Sequence, residues 1–238
     1  MSRLLLLSNS TMPGAQFFSW PGKFVREFLG GEKTQVLFVP YAAVTLSHDE
    51  YAGNVERAFE KLGYSLLSLH TVKDQQQAVN SASVIVIGGG NSFVLLNRLY
   101  THDLVKLIRN KVLWGTPYIG WSAGANMACP TLMTTNDMPI VYPPSFDALN
   151  LVPFQINPHY SEFTQPGHGG ETRQQRIEEF LAMNTRKVVG LPEGMLLHRE
   201  EQKLTLKGNG IARLFQNGGQ LMELESGQDV SFLLSAEN

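Results

Sequence analysis

Short, almost purely apolar runs recur along the chain at Arg3–Leu7, Gln35–Val39, 65–69, 84–87 and 117–120. Runs this short, without alternation of polar and apolar positions, read as strands buried on both faces. Between them lie amphipathic stretches. His48–Leu62 is the clearest, with Tyr51, Val55, Phe59 and Leu62 spaced for one face of a helix. The stretch 93–113 is a second helical segment. Strand and helix alternating at this spacing predict right-handed crossovers and a mostly parallel sheet with helices on both sides, a doubly wound α/β fold.

The pattern loosens after Asn136. In 137–170, Pro139, Pro143, Pro144, Pro153, Pro158 and Pro166 forbid a long helix, and a long irregular segment inside a compact fold is usually functional. Order returns with a helix that opens near Gly170 and runs to about Met183, followed by a strand over 187–190. Asn209-Gly210 and Asn217-Gly218 sit between apolar segments and predict C-terminal hairpins, which would add an antiparallel edge to the parallel sheet. No repeat or linker divides the chain, so residues 1–238 are expected to form one domain.

Composition narrows the function classes. At 238 residues with 43% hydrophobic content, a chain buries roughly 70% or more of its unfolded surface and needs no disulfide or structural metal. Nineteen Lys+Arg against 21 Asp+Glu leave a net charge of -2, with no basic field for nucleic acid or anionic lipid. The opening apolar run is too short for a signal-peptide core, and no run approaches the roughly 18 apolar residues of a membrane span. The expectation is a cytoplasmic protein acting on a small molecule or peptide.

The sharpest chemical feature is Gly120-Trp121-Ser122-Ala123-Gly124, directly after an apolar strand. It matches the nucleophile elbow G-x-S-x-G, in which a strained strand-to-helix turn raises the Ser hydroxyl and small neighbours let strand and helix close together. Ser122 would then stand at a helix N-terminus, where the free Ala123 N–H can stabilise an oxyanion. The alternative is a tight structural turn. Such a nucleophile needs a base. Of six histidines, His48 and His102 read as solvated, His70 and His198 as satisfied structural residues, and His168 lies in a flexible Gly-rich stretch. His159, after the short apolar segment Gln155-Ile156-Asn157 and inside the irregular region, is the candidate base. Asp137 and Glu193 compete to orient it, and spacing does not choose between them.

The string Gly88-Gly89-Gly90-Asn91 follows a buried strand and precedes a helix, which suggests an oxyanion or substrate-binding loop, with Gly90 as N–H donor and Asn91 facing substrate. It lacks the third glycine of a dinucleotide fingerprint and any Gly-Lys-Ser/Thr. Cys129 is expected to pack inside as a small hydrophobe. No pattern for a metal site or cofactor is present.

These segments together, with Leu5-Leu6-Leu7-Ser8-Asn9-Ser10-Thr11, Thr134-Thr135-Asn136-Asp137-Met138-Pro139, Gln155-Ile156-Asn157-Pro158-His159 and Gly170-Glu171-Thr172-Arg173, resemble the peptidase E family of α-aspartyl dipeptidases along nearly the whole chain. The resemblance implies a fold like that of class I glutamine amidotransferases, with Ser122 where those enzymes carry Cys. It also implies a metal-free serine peptidase that removes aspartate from Asp-X dipeptides, with Ser122 as nucleophile and His159 as base. A short rigid turn favours Glu193 as third member, with Asp137 close behind and able instead to hold the substrate amine. Selectivity for aspartate calls for a guanidinium, for which Arg173 is the candidate and a surface arginine the plain alternative. Rival readings are a cyanophycinase-like β-aspartyl peptidase and a non-catalytic binding protein of the same fold. A monomer or small homo-oligomer is expected.

Overall fold

The computed structural model describes residues 2–235 apart from Glu32, Gln165, Pro166 and His168. Five parallel strands, β1 (Arg3–Leu7), β2 (Gln35–Val39), β3 (Ser65–Ser68), β4 (Ile85–Ile87) and β5 (Tyr118–Trp121), stand in the order β3-β2-β4-β5-β1. Two antiparallel strands, β8 (Met195–Glu200) and β9 (Lys203–Gly208), extend the sheet beyond β1. Between β5 and β8 in sequence lie β6 (Gln155–Pro158) and β7 (Val188–Leu191), which pair in parallel in a second sheet of order β11-β10-β7-β6 with β10 (Ile211–Phe215) and β11 (Met222–Glu225).

Successive residues of each parallel strand enter opposite cores. Leu4, Leu6, Leu37, Val39, Ile85 and Ile87 belong to one cluster, and Leu5, Leu7, Val36, Phe38, Val86 and Ile119 to the other. With both faces dry, neither face of the strand tolerates a polar residue, which is why the strands read as unbroken apolar runs. The second cluster is closed by α1 (Gly22–Leu29) through Val25 and Phe28 and by α2 (His48–Leu62) through Tyr51, Ala52, Val55 and Phe59. Ser47 and Glu50 form a capping box at the start of α2 and Gly63 ends it in the left-handed region, so its sequence bounds and structural bounds coincide. The first cluster is covered by α3 (Gln75–Ser81), α4 (Ser92–Thr101), α5 (Leu104–Leu113) and α6 (Ala123–Met127).

Three expectations need correction. The stretch 93–113 is two helices, α4 and α5, because Asp103 takes φ 54° and turns the chain between them; an aspartate tolerates that conformation, and no Gly or Pro announces it. The helix expected to open near Gly170 is α7 (Arg173–Met183), which begins after its Thr172 cap and not at Gly170. Asn217-Gly218 does join the antiparallel pair β10 and β11, but Asn209-Gly210 carries the chain from one sheet to the other. There the Asn209 N–H donates to Gly194 O at 3.1 Å, so the turn is pinned to the start of β8 and does not fold β10 back on β9. The antiparallel edge comes from β8 and β9, joined at Glu201-Gln202 without a glycine.

Candidate active site

Four chain segments leave the carboxyl ends of neighbouring strands and meet: Ser8-Asn9 after β1, Ala42-Ala43 beyond β2, Gly88 to Asn91 after β4, and Ser122 after β5. In open α/β sheets this end of the strands is where ligands bind. Asn9, Ala42, Ala43, Gly89 to Asn91 and Ser122 from these segments line a cavity of about 530 Å³ together with Phe17, Leu46, Tyr51, Ile140 and His159.

Ser122 has φ 54° and ψ -115° between β5 and α6, the strained turn expected of an elbow. The two glycines make that turn feasible. A Cβ on Gly124 would lie 2.1 Å from Ile87 O, and one on Gly120 would lie 2.4 Å from Gly124 O. The Ser122 N–H donates to Leu7 O at 3.0 Å, and Ala123 opens α6, leaving its own N–H outside the helical ladder. Gly90 has φ 138°, and a Cβ there would lie 2.2 Å from Ala42 O; its N–H has no partner among the described residues.

The histidine facing Ser122 arrives from the second sheet. His159 follows β6 with φ 54°, and Glu193 stands in the turn between β7 and β8. His159 Nδ1 lies 2.8 Å from Glu193 Oε1 and its Nε2 lies 2.9 Å from Ser122 Oγ. A carboxylate only accepts, so Nδ1 carries the proton in the neutral ring and Nε2 is free to accept from the Ser122 hydroxyl. Of the two carboxylates left open by sequence, Glu193 is therefore the one on His159. Asp137 lies elsewhere: its Oδ2 accepts from the Ser92 N–H and hydroxyl, each at 2.7 Å, and from Thr135 Oγ1 at 3.1 Å, anchoring a loop to the N-terminus of α4.

Asn91 lines the cavity, but its polar atoms are engaged. Oδ1 caps α4 through the Val94 N–H at 3.0 Å and Nδ2 donates to Met138 O at 2.9 Å. Arg173, the first residue of α7, is outside the cavity wall and half-buried. Burial and the nearby Arg176 charge lower its pKa from the ordinary 12.5, and the Asp137 carboxylate opposes them.

The remaining histidines divide as follows. His70 is satisfied by Ser68 and Asp49, and His198 by Glu200. His102 is exposed and stacks on Tyr41, whereas His48 is not simply solvated: it packs against Tyr41 and His70 and bonds Arg98. His168 lies outside the described residues. Cys129 is fully buried, accepts the Ile156 N–H on Sγ at 3.2 Å, and has its thiol pushed up to about 12 by burial. No group of three or more His, Cys, Asp or Glu among the described residues is arranged to hold a metal ion, and no helix among them is long and apolar enough to cross a membrane.

Sequence reasoning passed over Tyr51 and the Ser8-Asn9 pair. The Tyr51 hydroxyl accepts the indole N–H of Trp121 at 3.1 Å behind the elbow; burial raises its pKa, against hydrogen bonds from Trp121 and the Gly89 main chain. Helical periodicity reads Tyr51 only as core. Ser8-Asn9 did carry a signal, since polar residues directly after a buried strand lie at its carboxyl end.

An elbow serine joined to a histidine and a carboxylate on a doubly wound sheet defines the class: a serine-type hydrolase. Comparison with known proteins narrows it. The sequence model of "Peptidase family S51" matches residues 4–207. Peptidase E of Nostoc sp. (strain PCC 7120 / SAG 25.82 / UTEX 2576) is 46% identical over 233 residues, which cover 98% of this chain and 96% of that protein. Peptidase E of Pasteurella multocida (strain Pm70) is 46% identical over 226 residues, covering 94% and 97%. A solved peptidase from an acI-B1 Actinobacterium shares the fold with TM-score 0.70 at 17% identity, over 98% of this chain and 97% of that one. The chain belongs to peptidase family S51 and is a serine-type peptidase.

Proposed function

We propose that the protein is a dipeptidase that releases N-terminal aspartate from Asp-X dipeptides through an acyl-enzyme on Ser122. The observation that carries this reading is the hydrogen-bonded chain from Ser122 through His159 to Glu193. In the first step Ser122 Oγ bonds to the aspartyl carbonyl carbon while its proton passes to His159 Nε2. The carbonyl oxygen takes the negative charge and is met by the Ala123 and Gly90 N–H groups. The C–N bond then breaks, and His159 Nε2 gives its proton to the departing amine of residue X. Water repeats the sequence on the ester, with His159 as base, and releases aspartate and the Ser122 hydroxyl. Glu193 keeps the Nδ1 proton in place and faces the imidazolium formed in each half.

Arg173, outside the cavity wall but within electrostatic reach of Asp137 behind the Asn91-Ser92 corner, is assigned to the aspartate side chain, which would have to reach past that corner to it, with Asn91 contributing through the wall it forms beside Gly90. Asp137 is assigned to holding the Asn91-Ser92 corner from behind. This reading goes with a peptide substrate, one domain over 1–238, a cytoplasmic location and a monomer or small homo-oligomer. Turnover of X-Leu dipeptides with X as Asp, Glu, Asn and Ala tests it, alongside α-Asp-Arg and β-Asp-Arg. Preference for α-Asp substrates, lost by orders of magnitude in Ser122→Ala, is expected. Equal rates across X would remove the Arg173 assignment, and full activity in Ser122→Ala would remove the mechanism.

A further inference from the structure

Three successive residues at the end of β1 each hold one corner of the site by a main-chain N–H. Leu7 O accepts from Ser122 N–H at 3.0 Å. Ser8 Oγ accepts from His159 N–H at 2.8 Å and donates to Leu191 O, also at 2.8 Å. Asn9 Oδ1 accepts from the N–H of Gly194, the neighbour of Glu193, at 2.9 Å. Ser8 and Asn9 are 0% and 2% exposed, so water does not replace either side chain.

The need for such contacts follows from the backbone. Ser122 and His159 both take φ 54°, which non-glycine residues avoid; the Ser122 N–H still closes the β1–β5 ladder on Leu7 O, whereas the His159 N–H takes the Ser8 hydroxyl. The turn at Pro192-Glu193-Gly194 has the same requirement. The second sheet brings base and carboxylate, the first brings the nucleophile, and the hydroxyl of Ser8 is a bridge between them: it bonds the residue after β6 and the last residue of β7 from the end of β1. The Ser8 N–H itself is fixed to Met195 O at 3.0 Å. Asn9 is braced in turn by Nδ2 donation to Thr11 O at 2.9 Å.

We propose that Leu7-Ser8-Asn9 is a gauge that sets the relative position of nucleophile, base and carboxylate, and that Ser8 and Asn9 are positioning residues for the reaction. They touch no reacting atom; they act through the placement of His159 and Glu193. A displacement near 1 Å in such an arrangement is enough to cost about a hundredfold in rate. This proposal rests on the triad reading above, and the two fail separately: loss of that reading shows in Ser122→Ala or Glu193→Gln, whereas loss of this one shows only in Ser8 and Asn9 variants.

The test is the rate per reactive site. Ser8→Ala, Asn9→Ala and the control Ser68→Ala, which removes a buried hydroxyl on the far edge strand β3, are titrated with a fluorophosphonate to count competent Ser122, and kcat and KM for Asp-Leu are measured per titrated site. Expected are a tenfold or greater fall in kcat for Ser8→Ala and Asn9→Ala with KM within twofold, a matching fall in the fluorophosphonate rate constant, and no change in Ser68→Ala. A structural defect alone lowers the number of titrated sites and leaves kcat per site unchanged, and that result overturns the proposal. If Ser8→Ala does not fold, Asn9→Ala decides. In a Glu193→Gln background Asn9→Ala is expected to cost less than twofold, because its route to the reaction is already cut; an undiminished tenfold loss there also overturns it.

Discussion

Ser122 and His159 are held at φ 54°, a conformation that costs of order 1–3 kcal/mol per non-glycine residue and persists only where surrounding bonds over-determine it. In both cases the strain turns a side chain out of its strand and toward the other. The carboxylates differ just as plainly in what they touch: Glu193 reaches the imidazole, and Asp137 reaches an N-terminal helix amide and two hydroxyls. Glu193→Gln is therefore expected to lower kcat by about 10³–10⁴, the scale of tautomer loss in a triad. Asp137→Asn should cost far less in kcat and appear mainly as a stability loss of about 1 kcal/mol at the start of α4. Steady-state kinetics and urea denaturation on the same preparations separate the two, and equal losses of kcat would contradict the assignment.

At the scale of elements, the close approach of α6 to β4 is among the tightest requirements. Gly124→Ala places a methyl against Ile87 O, so the variant is expected to lose about 2–3 kcal/mol by urea denaturation, with activity falling further because Ala123 shifts with the helix. An unchanged denaturation midpoint would show that the helix can move without cost. The same scale explains what was legible in the sequence. The parallel strands announce themselves because both their faces are dry, and the elbow because strand, glycines and helix follow in order. The second sheet is legible only in part: the strand near 187–190 and the Asn217-Gly218 hairpin are marked, but Gln155–Pro158 carries Gln, Asn and Pro at positions whose burial depends on distant partners. Helix α1 went unread although Phe24, Val25, Phe28 and Leu29 share one face; α3, 7 residues long, is too short to show a period, and the Asp103 turn has no marker. Ser122 and His159, which the structure places 2.9 Å apart, were singled out from local context. The choice between Glu193 and Asp137 was not, because it depends on which turn folds beside His159.

Across the whole molecule, stability couples to pH through two histidines remote from the reaction. Burial is the largest cause lowering the pKa of both His48 and His198 from 6.5; Arg98 and His70 add to it at His48 against Asp49, while Glu200 opposes it at His198. With folded values below unfolded ones, the unfolded chain takes up protons first as the pH falls. Their contribution is present in full above 6.5 and lost as the pH drops below it toward the folded values. Urea midpoints at pH 7.5, 6.5 and 5.5 should fall in that order, less so in a His48→Gln, His198→Gln double variant; a midpoint that rises on acidification would contradict this.

The bonds from Ser8 and Asn9 to the second sheet and its turn span 151, 183 and 185 residues of chain. Contacts of such separation close late, because the entropy of looping the intervening chain must be met before they form. During synthesis the residues that align the site emerge first and wait for those they align. A nascent chain or fragment ending before Gly194 holds the elbow serine without its aligned partners, so hydrolytic competence is the last property the polypeptide acquires. In refolding from denaturant, recovery of Asp-Leu hydrolysis should accordingly trail recovery of the native tryptophan fluorescence, to which the buried Trp121 contributes.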